Sequence, residues 1–201
     1  MMDEQQKSLE PLSLQQIPQV SWKLLTEGVD SANSAFHTPC LATVGKHGPS
    51  MRTVVLRHCD EEQRMLACHT DIRSAKIREA EADPRASWLF YDPERKLQLR
   101  LAGQLSIHVD DDFADACWDE TTAMGRACYN TASGPGQYLS RPAVAPGRIS
   151  DDIEAHMARS QFAVIACKIE FLDWLLLSAE GHRRAQFHWR ADNQQASWVT
   201  P

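Results

Sequence analysis

Three short runs between Arg52 and Gly103 carry side chains that could hold an anion. They are Arg52-Thr-Val-Val-Leu-Arg57, then His69-Thr70-Asp71-Ile-Arg73-Ser74-Ala-Lys76, then Gln98-Leu-Arg100-Leu-Ala-Gly103. A phosphate needs several donors converging on one point. A helix start supplies free amide hydrogens and a partial positive charge. The run from Thr70 to Lys76 adds hydroxyls and an ammonium to such a start. Arg52 can offer a planar fork for two oxygens. Gln98 is a polar residue in an apolar strand pattern, where an amide costs energy unless it finds a partner. Together the runs suit a dianionic phosphate attached to a flat, hydrogen-bonding ring.

Each piece alone has a plainer reading. Ser74 and Lys76 also fit an ordinary solvated helix face. Gln98 and Arg100 also fit the wet face of a half-buried strand. Arg52 and Arg57 could pair with Asp60, Glu61 and Glu62 as surface charges do. What favours the binding reading is their order across about fifty residues.

The elements that must position these residues are mostly short strands. The pattern predicts strands at Pro39–Val44, Ser50–His58, Met65–His69, Ala86–Tyr91, Leu97–His108, Phe162–Phe171, Trp174–Ser178 and Arg184–Trp189, with Trp198–Pro201 closing the chain. On one regular strand Arg52 and Arg57 face opposite sides, so both are not expected on one phosphate. Helices are predicted over Ser21–Ser34, Asp71–Ala82 with Asp71 as N-cap, Val109–Ala127 and Asp151–Ser160. Residues 130–149 read as an irregular loop. Residues 1–19 read as a flexible arm and 20–201 as a single domain. Hairpin spacing with scattered helices predicts a mainly β fold, an antiparallel barrel with added helices. No G-x-G-x-x-G follows a strand, which disfavours a doubly wound nucleotide fold.

The 201 residues carry a formal charge of −6, which argues against a general nucleic-acid or membrane binder. Hydrophobic residues make up 43% of the chain, enough to build a core. The six cysteines show no C-x-x-C spacing and read as reduced thiols. With no basic-then-apolar export signal and no apolar run of membrane-span length, they point to the cytoplasm.

The ordered set resembles the pyridoxamine 5′-phosphate oxidase superfamily from Pro39 to Gly103, in its branch of related FMN-binding proteins. The resemblance implies a PNP-oxidase-like, FMN-binding split β-barrel, with FMN at the interface of a homodimer. It implies cofactor contacts at Arg52, Thr53, Val54, Val55, Leu56, His69, Thr70, Ser74, Lys76 and Gln98. Trp174 and Arg184 keep the family's ten-residue spacing and would complete the flavin site from a second subunit. Arg57 stands where the oxidases carry a substrate-phosphate lysine, and Arg141 lies in a Ser-Arg-Pro segment. Both are expected to bind substrate, with His182 as the catalytic histidine. The family's second phosphate arginine falls on Ala75, and its substrate-guiding arginine on Glu180. The implied activity is hydride transfer from an amine or alcohol to FMN, with reoxidation by oxygen or another acceptor. The alternative is a flavin carrier, sensor or electron-transfer protein without turnover. No metal is expected.

Overall fold

The computed structural model describes residue 9 and residues 12–143, 148–190 and 193–201. Helix α1 spans Gln16–Asp30. Strands β1 (Cys40–Gly45), β2 (Gly48–Thr53), β3 (His58–Asp60) and β4 (Met65–Asp71) follow, then α2 (Ala75–Ala82). Next come β5 (Arg85–Asp92), β6 (Leu97–His108), α3 (Asp112–Glu120), α4 (Ala123–Ala127) and α5 (Asp152–Gln161). The described elements close with β7 (Phe162–Leu176), β8 (Arg183–Arg190) and β9 (Asn193–Val199).

All the described strand pairings are antiparallel, in the order β2-β1-β5-β6-β7-β4-β3 with β8 and β9 added beside β7. The mainly β expectation therefore holds. Strand β7 makes the curvature possible. Its first part pairs with β4 and its last part with β8, while β6 runs along its other edge. Alternation then sets the core. Along β5, Ala86, Trp88, Phe90 and Asp92 are buried while their neighbours face out. Leu97, Leu99 and Leu101 of β6 line the same interior. Leu41, Cys68, Ile165, Cys167 and Leu172 fill it, and Trp22, Leu25 and Ile17 of α1 pack against it. A second, smaller cluster forms on the other side of β4 and β7, where Cys117, Trp118 and Ala158 of α3 and α5 cover Phe162, Val164 and Ala67.

Several expectations change. The predicted strand Ser50–His58 is broken: β2 ends at Thr53 and β3 begins at His58. The intervening residues leave one end of the sheet order and reach the other. Val54 and Leu56 donate their amides to the carbonyls of Pro39 and His37, and Arg57 donates to Ala67 of β4. Helix α1 starts at Gln16, and Leu9, Leu12 and Ile17 are buried. The expected arm over 1–19 is thus packed from Leu12 onward, while residues 1–8, 10 and 11 lie outside the described residues. The helix predicted over Val109–Ala127 is two helices, parted at Thr121 and Thr122, where Thr122 caps α4. Phe162 to Leu176 is one strand rather than two. Residues 144–147 of the expected loop also lie outside the described residues.

Candidate functional site

Helix α2 begins at Ala75, with Ser74 rather than Asp71 as its N-cap. Asp71 instead accepts from the Arg73 amide and pairs with the Arg73 guanidinium at 2.6 Å. Arg73 also donates to the Thr131 and Ala132 carbonyls, which ties the following loop to the helix start. It is therefore engaged within the protein.

Ser74 occupies the capping position without using its hydroxyl to cap. That hydroxyl is buried and lies 3.2 Å from the Thr70 hydroxyl, which is also buried. The Lys76 ammonium donates to Thr70 at 2.9 Å. Two hydroxyls and a cation thus converge at a helix N-terminus, where amide hydrogens are unsatisfied by the helix itself. Burial holds the Lys76 ammonium below the usual lysine range, and the nearby Arg52 charge pushes the same way. The two cations share one neighbourhood. A dianion placed there would relieve both.

Arg52 reaches this end of the barrel from β2. Its side chain shares the inner face with Leu41, its register partner on β1. Nη1 donates to Thr43 at 2.6 Å, and Nη2 donates to Ser50 and to Glu79, each at 2.7 Å. Glu79 lies on α2, one helical turn after Lys76. Burial raises the Glu79 carboxyl, but hydrogen bonds from Thr43, Arg52 and Ser50 outweigh it and hold it below its ordinary value. The expected open fork of Arg52 is therefore corrected: both terminal nitrogens are engaged within the protein. Thr43, Ser50 and Glu79 escaped the sequence reading. The only available signal was the i, i+3 spacing of Lys76 and Glu79 on one helix face.

Backbone donors complete this corner. Strand β2 lies at the end of the sheet order. Because Val54 and Leu56 donate inward to 39 and 37, alternation turns the amides of Thr53 and Val55 to the open side. A ring edge could be met there.

His69 points to the other face of β4, under the helices. Its ring packs edge-on against Phe162 at 4.9 Å, and Thr121 lies 3.5 Å from Nδ1. Burial, with the charges of Arg57 and His58, pushes it down to about 4, so it is neutral near pH 7. Arg57 itself is exposed.

The remaining predicted residues lie apart in one chain. Gln98 and Arg184 sit on the outer face of the sheet, each in register with Leu175. Arg184 is held there by Asp173, to which Nε and Nη2 donate at 2.9 and 2.7 Å. Arg100 and Gln186 donate to the same carboxylate. Trp174 faces the interior, fully buried against Ala185 and Trp198. The side chain of Trp174 is a core residue. His182 is exposed in the β7–β8 connection, where Nδ1 accepts the Ser178 amide at 3.1 Å. Arg141 is exposed.

Two other features lie outside this cluster. A cavity of about 760 Å³ between α4 and α5 is lined by Trp118, Met124, Arg126 and Ile149 and by none of Arg52, Thr70, Ser74 and Lys76. Ser106, His108 and Asp111 form a hydrogen-bonded row at 2.9 and 2.8 Å. Its carboxylate also caps α3 by accepting the Ala114 amide, which accounts for the arrangement as a helix cap.

Residues 19–109 match the profile of the pyridoxamine 5′-phosphate oxidase FMN-binding domain. Over these residues the chain carries the superfamily's FMN-binding domain. A pyridoxine/pyridoxamine 5′-phosphate oxidase 2 of Arabidopsis thaliana is 37% identical over 90 residues, covering 43% of this chain and 46% of the relative. A pyridoxine/pyridoxamine 5′-phosphate oxidase of Myxococcus xanthus is 31% identical over 140 residues, covering 65% and 66%. Across such curated relatives the chain spans roughly half their length. A crystal structure of a pyridoxamine 5′-phosphate oxidase-related, FMN-binding protein from Nostoc punctiforme is similar with a TM-score of 0.71 at 24% identity, covering 91% of this chain and 96% of that one. PhzG from Burkholderia lata, solved with tetrahydrophenazine-1-carboxylic acid, follows at 0.68 and 18%, covering 92% of each. These two likenesses are of fold: the barrel is the superfamily's FMN-binding split barrel. The matched segment, 19–109, contains the whole of the Arg52–Thr70–Ser74–Lys76 corner. No described helix is long and apolar enough to cross a membrane.

Proposed function

We propose that this protein binds FMN with the phosphate at Thr70, Ser74 and Lys76, under the charge of Arg52, and uses it as an oxidoreductase. The observation that carries the reading is the buried pair of hydroxyls joined to the half-buried Lys76 ammonium at the start of α2. The donor set fits a phosphate monoester: a cation, hydroxyls and helix-end amides, with a second cation close behind. Thr53 to Leu56 would lie along the ring, meeting its carbonyls and N–H groups with backbone. When bound, FMN supplies a two-electron acceptor for an amine or alcohol carbon.

The positions of the other expected donors support a homodimer. Gln98 and Arg184 are on the outer sheet face, remote by topology from the inner-face Arg52 of the same chain. A second copy laid on that face would bring them to the flavin. The face carries exposed Met51, Leu89 and Tyr91, and a cavity of about 310 Å³ lined by Ala42, Ser87 and Ala102. Such apolar exposure fits an interface.

Toward the substrate, Arg57 and Arg141 would supply charge for an anionic group, and both are exposed. His182 would move the proton. Its Nδ1 accepts an amide hydrogen, so the neutral ring carries its proton on Nε2. A specific observation favours the second reading, a flavin carrier or electron-transfer module: Glu180 stands two residues before His182, where its charge would repel a phosphorylated substrate.

The test is titration with FMN, followed by anaerobic addition of candidate amines and alcohols, including pyridoxine and pyridoxamine phosphates. Bleaching of the flavin by one donor supports the oxidoreductase. Bleaching by dithionite alone supports the carrier. Folded protein that leaves FMN fluorescence and absorbance unchanged refutes both.

A further inference from the structure

We infer that Glu79 is a positioning residue for the phosphate end of the cofactor, acting through Arg52. The inference rests on the FMN reading above and deepens it. An arginine offers five N–H groups. Among the described residues, Nη1 of Arg52 is spent on Thr43 Oγ1 and the Leu41 carbonyl, and Nη2 on Ser50 Oγ and Glu79 Oε2. That leaves Nε–H and the net charge to act on a ligand. Glu79 in turn accepts from Thr43 Oγ1 at 2.5 Å. The guanidinium plane is thus fixed from two elements, the β1–β2 hairpin on one side and α2 on the other.

Helix α2 couples this lock to the phosphate seat. Ser74 and Lys76 stand at its first turn, and Glu79 one turn on. One rigid element therefore holds both the seat and the brace. The charge arithmetic argues for bracing rather than attraction. Arg52 and Lys76 contribute two positive charges, and Glu79 removes one. A carboxylate beside a bound dianion is electrostatically unfavourable, so its benefit lies in holding Arg52 at one place. A long, freely rotating side chain would otherwise have to be ordered on binding.

The experiment compares FMN with riboflavin, which has the same ring and no phosphate. Full-length wild type, Glu79→Ala and Glu79→Gln are titrated with each flavin, and thermal unfolding is recorded without ligand. The role predicts that Glu79→Ala weakens FMN at least tenfold while riboflavin changes less than twofold. Glu79→Gln keeps an acceptor oxygen for Arg52 and is expected between wild type and Glu79→Ala. Equal weakening of both flavins would overturn the role, because it marks general damage to the fold. Unchanged or tighter FMN binding in both variants would also overturn it, since Glu79 would then be idle or a competing anion. If Glu79→Ala does not fold, the Glu79→Gln ratio of the two flavins decides alone. Wild type that binds neither flavin removes the FMN reading and this role with it.

Discussion

Replacing Lys76 with methionine separates what the ammonium does for a ligand from what it does for the fold. Methionine keeps an unbranched chain of similar length and removes the charge. Among the described residues Lys76 donates one hydrogen bond, to Thr70, and burial works against its charged form. A hydrogen bond from an ammonium to a hydroxyl contributes roughly 1.5–3 kcal/mol, and the desolvation of a half-buried ammonium offsets a comparable amount. Lys76→Met should therefore leave the ligand-free melting temperature unchanged or raise it slightly. With phosphate present the balance reverses. A hydrogen bond to a charged group contributes roughly 1.5–3 kcal/mol, which corresponds to about a 10- to 150-fold loss of affinity. The assay is flavin fluorescence during titration with FMN and, in parallel, riboflavin. FMN should lose at least tenfold and riboflavin less than twofold. An FMN affinity within twofold of wild type would refute the seat. So would a fall in ligand-free stability large enough to explain weaker binding of both flavins.

Three further perturbations test other parts of the structure. Asp173 is almost fully buried, and hydrogen bonds from Arg184, Gln186 and Arg100 overcome its burial to hold it below its ordinary value. Asp173→Asn should cost about 1–3 kcal/mol by urea unfolding, less than a fully buried pair because Arg100 remains half in water; no change would show that the pairs are surface-like. His69 sits at about 4 in the folded chain against 6.5 ordinarily, so the unfolded chain takes the proton first. Its stabilising effect is whole above pH 6.5 and falls as the pH drops toward 4. Wild type should thus lose about 1–2 kcal/mol more than His69→Gln between pH 8 and pH 5, and parallel unfolding curves for the two proteins would contradict this. A Cβ on Gly103 would lie 1.9 Å from the Lys168 carbonyl oxygen at the β6–β7 register shift. Gly103→Ala should cost roughly 3 kcal/mol or more, and a wild-type midpoint in denaturant would show that the strands can part without penalty.

How far the sequence discloses this architecture depends on the range of the forces involved. Strand alternation is a local signal, so β5 and β6 are legible from Trp88, Phe90, Leu97, Leu99 and Leu101. Thr70, Ser74 and Lys76 are legible too, because a hydroxyl-rich helix start lies within seven residues. The break after Thr53 is not. Residues 54–57 are β-branched or apolar enough to extend β2, and only pairing with 37, 39 and 67 draws them across to β4. Tertiary hydrogen bonds override propensity there. That break also removes the parity argument that set Arg52 and Arg57 on opposite faces of one strand. Trp174 and Arg184 show the same limit in another form: correct spacing along the chain says nothing about which face each side chain takes. Their strands put Trp174 in the core and Arg184 on the outer face. Glu79 is the sharpest case. In sequence it is one of two carboxylates on a polar helix. Only folding brings it to Thr43, Ser50 and Arg52, whose donors come from a hairpin about thirty residues earlier. The local motif supplies the phosphate's donors, and long-range contacts decide how many of them remain free to use.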